Sequence, residues 1–128
     1  MQADEFKQAI LGTWKQYSSG HRVLRVKEDG TATIDVKLDG IAAFWFGEKL
    51  HFDITWTIEG DELVFKTIGG TPEGGVNAVT SIYGDRRIYR IREINTQQML
   101  LNEKDEEKTP WDRVTDDDRP ENTNPADD

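Results

Sequence analysis

Leu11-Gly12-Thr13-Trp14 stands just behind a short amphipathic segment and just ahead of a series of strands punctuated by Asp-Gly. Glycine at that point lets two backbones approach closely. A tryptophan at the start of a first strand can plug one end of a closed sheet. The expectation is an all-β chain: a small antiparallel up-and-down β-barrel with a short N-terminal helix.

Upstream, Phe6, Ile10 and Leu11 recur at helical spacing, and Asp4 is placed to cap the N-terminus. Two turns of helix do not hold alone in water. Residues 1–10 therefore read as a helix packed on one end of the barrel. Downstream, period-2 patterning takes over. Strands are expected at about 11–18, 21–28 and 31–38, with Asp29-Gly30 as a tight hairpin turn. Ala32, Ile34, Val36 and Leu38 share one face of the third. Residues 41–46, IAAFWF, read as an extra strand or as a bent continuation of that third strand.

The clearest strand is at about 50–58, where Phe52, Ile54, Trp56 and Ile58 alternate with His51, Asp53, Thr55 and Thr57. Leu63 and Phe65 continue its apolar face after the turn at Gly60. Residues 69–85 break the rhythm with five glycines and Pro72, and read as a mobile flap hinged at Gly69-Gly70 and Gly74-Gly75. Strands at about 86–94, 98–104 and 109–114 bring the set to eight, up to ten. Closing such hairpins into a barrel removes exposed edges. Eight strands enclose an interior that side chains just fill, or that holds one small ligand.

At 128 residues the chain is one domain, with the barrel over residues 11–115. Residues 116–128 hold six acids against one arginine and no large apolar side chain, so they read as a disordered acidic tail. That tail carries −5 of the net charge of −9, leaving −4 for the rest. An acidic surface argues against broad binding to nucleic acid or anionic lipid. The absence of cysteine excludes disulfides, thiol chemistry and thiolate metal sites. No apolar run is long enough for a membrane-spanning helix. MQADEFKQAI lacks the basic and apolar regions of a secretory signal. If Met1 is the native start, the expected compartment is the cytoplasm; a trimmed signal peptide would leave the same sequence.

Leu11-Gly12-Thr13-Trp14, Glu28-Asp29-Gly30-Thr31, Trp56 ahead of Gly60 and Leu63, and Trp111-Asp112-Arg113-Val114 together resemble the bacterial lipocalin-like proteins of the calycin group. The resemblance spans roughly residues 11–114. It implies that Gly12, Trp14 and Arg113 close one end of the barrel, the arginine resting on the indole as a cation–π pair. The disulfide, the greater length and the second T-D-Y-type motif of secreted lipocalins are not present. Fold alone does not fix function.

The default site in such a barrel is an aromatic-lined interior. Its candidates are Phe52, Ile54, Trp56 and Phe65, with Tyr89 and Ile91 from the 86–94 strand. The competing reading is that these residues simply fill the core. Arg86, Arg87, Arg90 and Arg92 stand out in an acidic chain. Alternation puts Arg86, Arg90 and Arg92 with Ile88 and Ile94, and Arg87 with Tyr89 and Ile91. Arg90 could pair with a ligand carboxylate at the barrel mouth; the alternative is an outer basic stripe paired to Asp35, Asp53 or Glu93. Alternation also sends at least one of Phe44, Trp45 and Phe46 toward the surface, as a rim contact or a homodimer interface. His21 and His51, the two histidines, read as solvent-facing, with no spacing that argues for a metal.

Two functions follow. The first is a non-enzymatic binding protein for a small apolar or amphipathic molecule, anchored by Tyr89 or Arg90. The second is a solid-barrel interaction module working as a dimer or partner-binding domain through the Phe44–Phe46 region. An enzyme ranks last, because no nucleophile–base pair or metal set is recognisable. No cofactor is expected.

Overall fold

The computed structural model describes residues 3–18 and 20–114. The segment read as an acidic tail, residues 116–128, lies outside the described residues.

Helix α1 (Ala3–Ala9) leads into β1 (Gly12–Tyr17), β2 (Gly20–Val26) and β3 (Thr31–Leu38). Helix α2 (Gly40–Phe46) precedes β4 (Lys49–Glu59) and β5 (Glu62–Thr71). Helix α3 (Glu73–Tyr83) precedes β6 (Arg86–Ile94), β7 (Gln98–Glu103), β8 (Glu106–Glu107) and β9 (Trp111–Arg113). Neighbouring strands pair antiparallel from β1 through β7. β9 pairs with both β7 and β1, which closes an eight-stranded lipocalin-like barrel. β8 lies on β7 in the same direction as β9, so 106–113 is one interrupted strand. Glu107 faces Asn102, whereas Trp111 faces Met99, which leaves one extra residue at Thr109-Pro110. Proline has no N–H for the ladder, and a bulge is where a sheet tolerates it.

One end of the barrel is solid. Phe6 of α1 and Ile10 just beyond it pack onto a core of Trp14, Leu24, Ile58, Leu63, Met99 and Trp111. Ile10, Trp14, Leu24, Leu63 and Met99 are fully buried. At the other end, β3 leads into α2, and β5, which runs past the start of β6, leads into α3. Leu38 pairs with Gly20 and Thr71 with His51, so both helices sit opposite α1.

The structure corrects the sequence expectation at three places. Residues 41–46 are helical: with apolar side chains on both sides, IAAFWF has no period to separate helix from strand. Residues 69–85 are no open flap; β5 continues to Thr71 and α3 fills most of the remainder. Two of the glycines there serve close approach instead of hinging. A Cβ on Gly75 would lie 2.5 Å from the Phe46 carbonyl oxygen and 2.7 Å from Leu50 Cδ2, and one on Gly70 would strike the His51 carbonyl. Third, a β-bulge between Ile91 and Glu93 makes Arg92 an extra residue. Ile91 and Ile94 therefore both point inward, against strict alternation.

Candidate functional site

Between the solid core and the two helices lies a cavity of about 530 Å³. That volume falls within the usual range for small-molecule sites. Strand alternation explains its lining. Ile34, Val36 and Leu38 enter from β3, Leu50, Phe52 and Ile54 from β4, and Phe65 and Thr67 from β5. Phe46 of α2 and Val79, Thr80 and Tyr83 of α3 form the roof, and Trp111 and Leu101 face the floor. Val76, Val79, Thr80 and Tyr83 follow i, i+3, i+4, i+7 spacing, which is why one side of α3 faces the barrel.

Polar groups gather on one wall. Arg22 of β2 sits in the inward register set by Leu24 and Val26. Its Nη1 donates to the Ser18 carbonyl. Burial pushes its pKa down, and the Tyr89 hydroxyl and Arg87 guanidinium both act on it electrostatically. Arg87 of β6 is held by Glu103 of β7 through two parallel bonds of 2.7 Å, from Nε and Nη2. That fork raises the Arg87 pKa and lowers that of Glu103. Tyr89 packs edge-on against Phe65 with centroids 5.9 Å apart, and burial raises its pKa. Lys108 Nζ completes the wall, 3.8 Å from Glu103 and 3.4 Å from Glu106.

Of the residues singled out from sequence, Phe52, Ile54, Phe65 and Tyr89 line this cavity. Trp56 does not: it is buried nearer the closed end, its Nε1 donating to the Lys27 carbonyl at 2.9 Å. Ile91 also lies in the lower core. Arg90 is a correction. It points outward, its side chain 65% exposed, and pairs with Asp61 at 3.4 Å. Its neighbour Arg87 has the inward parity. The outer arginines do not pair with Asp35, Asp53 or Glu93 either; Arg92 meets Glu107 at 3.7 Å. Arg22 was overlooked, although its place two residues before Leu24 carries the signal: a charge in an inward position.

At the closed end, Arg113 Cζ lies 4.0 Å from the Trp14 ring centroid. Its Nη1 donates to Leu11 O at 2.8 Å and its Nη2 to Ala9 O at 2.7 Å. A Cβ on Gly12 would come within 2.9 Å of Arg113 Nη1, so glycine leaves room for the guanidinium.

On the outer face, His51 lies between two carboxylates, with Nδ1 2.6 Å from Asp35 and Nε2 3.0 Å from Asp53. Arg25 also reaches Asp35, at 2.9 Å. The hydrogen bond to Asp35 leads the effects that raise the His51 pKa. This histidine is thus bound into an ion cluster and is not simply solvent-facing. His21 packs edge-on against Tyr17 at 4.8 Å. Among the described residues no group of three or more His, Cys, Asp or Glu side chains could hold a metal ion.

Ile41, Phe44 and Trp45 occupy the outer side of α2, with Phe44 83% and Trp45 69% exposed. Phe46 turns the other way into the cavity. No helix among the described residues is long and apolar enough to cross a membrane.

No protein-family model and no curated protein matches the chain. Solved structures match its fold. A lipocalin-like protein from Bacteroides uniformis ATCC 8492 superposes with a TM-score of 0.58 at 13% identity, over 83% of this chain and 99% of the other. An uncharacterized protein from Bacteroides eggerthii DSM 20697 superposes with a TM-score of 0.55, also at 13% identity, over 81% of this chain and 98% of the other. At such identity the likeness carries the fold alone.

Proposed function

We propose that this barrel binds one small amphipathic molecule in the cavity beneath α2 and α3, without chemical turnover. The observation that carries this reading is the division of the cavity lining. Aliphatic and aromatic side chains from β3, β4 and β5 make an apolar wall, and Arg22, Arg87, Tyr89 and Lys108 cluster on the other side. Such a lining offers dispersion and desolvation to an apolar body while a few polar groups fix its orientation. The closed end, filled by Ile10 and Trp14, leaves the helical end as the way in.

The test is titration of the full chain with N-phenyl-1-naphthylamine, an uncharged dye that brightens in apolar surroundings. Saturable binding of one dye per chain is expected, with quenching of tryptophan emission because Trp111 lines the cavity. Linear, unsaturable brightening would refute the reading.

The outer face of α2 favours a second reading, self-association of two chains. Ile41, Phe44 and Trp45 fall at i, i+3 and i+4 on one exposed turn, and soluble monomers seldom leave such a patch to water. Sedimentation equilibrium of wild type and Phe44→Ser/Trp45→Ser tests it. A dimer that the substitutions dissociate is expected, and a monomer at all concentrations removes it.

A further inference from the structure

The cations on the polar wall are not equivalent. Arg87 is neutralised by a bidentate Glu103, and Lys108 lies within ion-pair distance of Glu103 and Glu106. Glu107, the acid on the cavity lining, is itself paired with Arg92. Arg22 has no carboxylate within ion-pair distance among the described residues; its side chain holds the neutral Ser18 carbonyl. Among the described residues the cavity wall thus carries one guanidinium charge without a counter-charge, half-buried beside Tyr89.

A guanidinium held partly out of water stabilises an anion far more than one in bulk solvent, because the local dielectric is lower and its planar fork matches a carboxylate. One unmatched positive charge calls for one negative charge. We propose that Arg22 is the anchor for a ligand carboxylate, so that the cavity selects amphiphiles with a single carboxylate head and an apolar chain. The chain lies along Ile34, Phe52 and Phe65 toward Trp111, and the Tyr89 hydroxyl donates to the second carboxylate oxygen. Arg87 stays with Glu103 and contributes positive potential without direct contact.

This inference rests on the cavity being the binding site, and calorimetric titrations separate the two. Full-length protein is titrated with sodium dodecanoate and with dodecanol, which share a chain and differ in the head. Wild type is expected to bind dodecanoate at least about tenfold more tightly, as a charge-assisted hydrogen bond supplies. Arg22→Gln is expected to cut that preference to less than about threefold, through a loss of dodecanoate affinity larger than any change for dodecanol. Arg22→Lys, which keeps the charge and loses the fork, is expected to fall between them. The wild-type comparison needs no variant, so misfolding of Arg22→Gln cannot rescue the proposal. Equal affinity for acid and alcohol in wild type, or a full preference surviving in Arg22→Gln, overturns the anchor and leaves the binding barrel standing. Failure of the dye, the acid and the alcohol alike overturns both.

Discussion

Replacing Arg113 with methionine removes a guanidinium from the closed end and keeps much of its apolar stem. Wild-type Arg113 makes two charge-assisted bonds to carbonyls at and just beyond the end of α1, Ala9 O at 2.7 Å and Leu11 O at 2.8 Å. Each contributes about 1.5 kcal/mol, the lower end for a bond to a charged group, because Arg113 is only half-buried. The contact with the Trp14 ring at 4.0 Å adds about 1 kcal/mol. Part of this is offset: Arg113 Nε is buried without an acceptor, a burden of about 1 kcal/mol that the substitution relieves. The expected loss is about 3 kcal/mol, or about 12 °C in Tm at roughly 4 °C per kcal/mol for a domain of this size. Arg113→Lys keeps a cation over the indole but cannot reach both carbonyls, so it should lose about half as much. Urea and thermal unfolding followed by circular dichroism measure both. A loss below about 1 kcal/mol for Arg113→Met would refute the claim that this residue ties α1 to the barrel.

Other outcomes follow from the same coordinates. The folded-state pKa of His51 is raised, so its ion cluster stabilises the fold fully below the unfolded value near about 6.5. That contribution is lost as pH rises through the folded value. With side chains one-third to half exposed the effect should stay under about 1 kcal/mol, read as a downward slope of Tm with pH that His51→Gln flattens. Glu103 has the opposite sign: its pKa is lowered by Arg87, so its contribution is present above about pH 4.5 and lost as pH falls through the folded value. Glu103→Gln should destabilise by about 1–2 kcal/mol near neutral pH and abolish that acid-side loss. Gly75→Ala places a methyl against the Phe46 carbonyl and Leu50, so it should speed amide exchange in α2 and α3 and leave exchange in β1, β2 and β7 unchanged.

Much of the barrel was legible because its strands bury one face and expose the other. Phe52, Ile54, Trp56 and Ile58 announce β4 with no help from context. The roof was not, for two reasons. Six apolar residues in a row hide the period of α2, and the glycines of 69–85 mask the Val76, Val79, Thr80, Tyr83 stripe of α3. Those glycines signal tight packing against α2 and β4 as readily as mobility. The site was half legible. Phe52, Ile54, Phe65 and Tyr89 follow from parity, whereas the end of the barrel to which each inward residue belongs depends on strand register. Register is why Trp56 sits below the cavity and Phe52 beside it. The arginines illustrate the same point. Parity already separated Arg87 from Arg90, but only register brings Arg22 across from β2 to the same wall.

The most direct measurement of the central claim compares N-phenyl-1-naphthylamine binding to wild type and to Ile34→Trp/Thr67→Trp, which builds two indoles into the void. Both positions line the cavity, Ile34 where it meets the closed-end core and Thr67 outside that core. Affinity at least about tenfold weaker in the filled variant, with an unchanged far-ultraviolet spectrum, is the predicted result. Equal binding by the two proteins would place the dye outside the barrel and contradict the account.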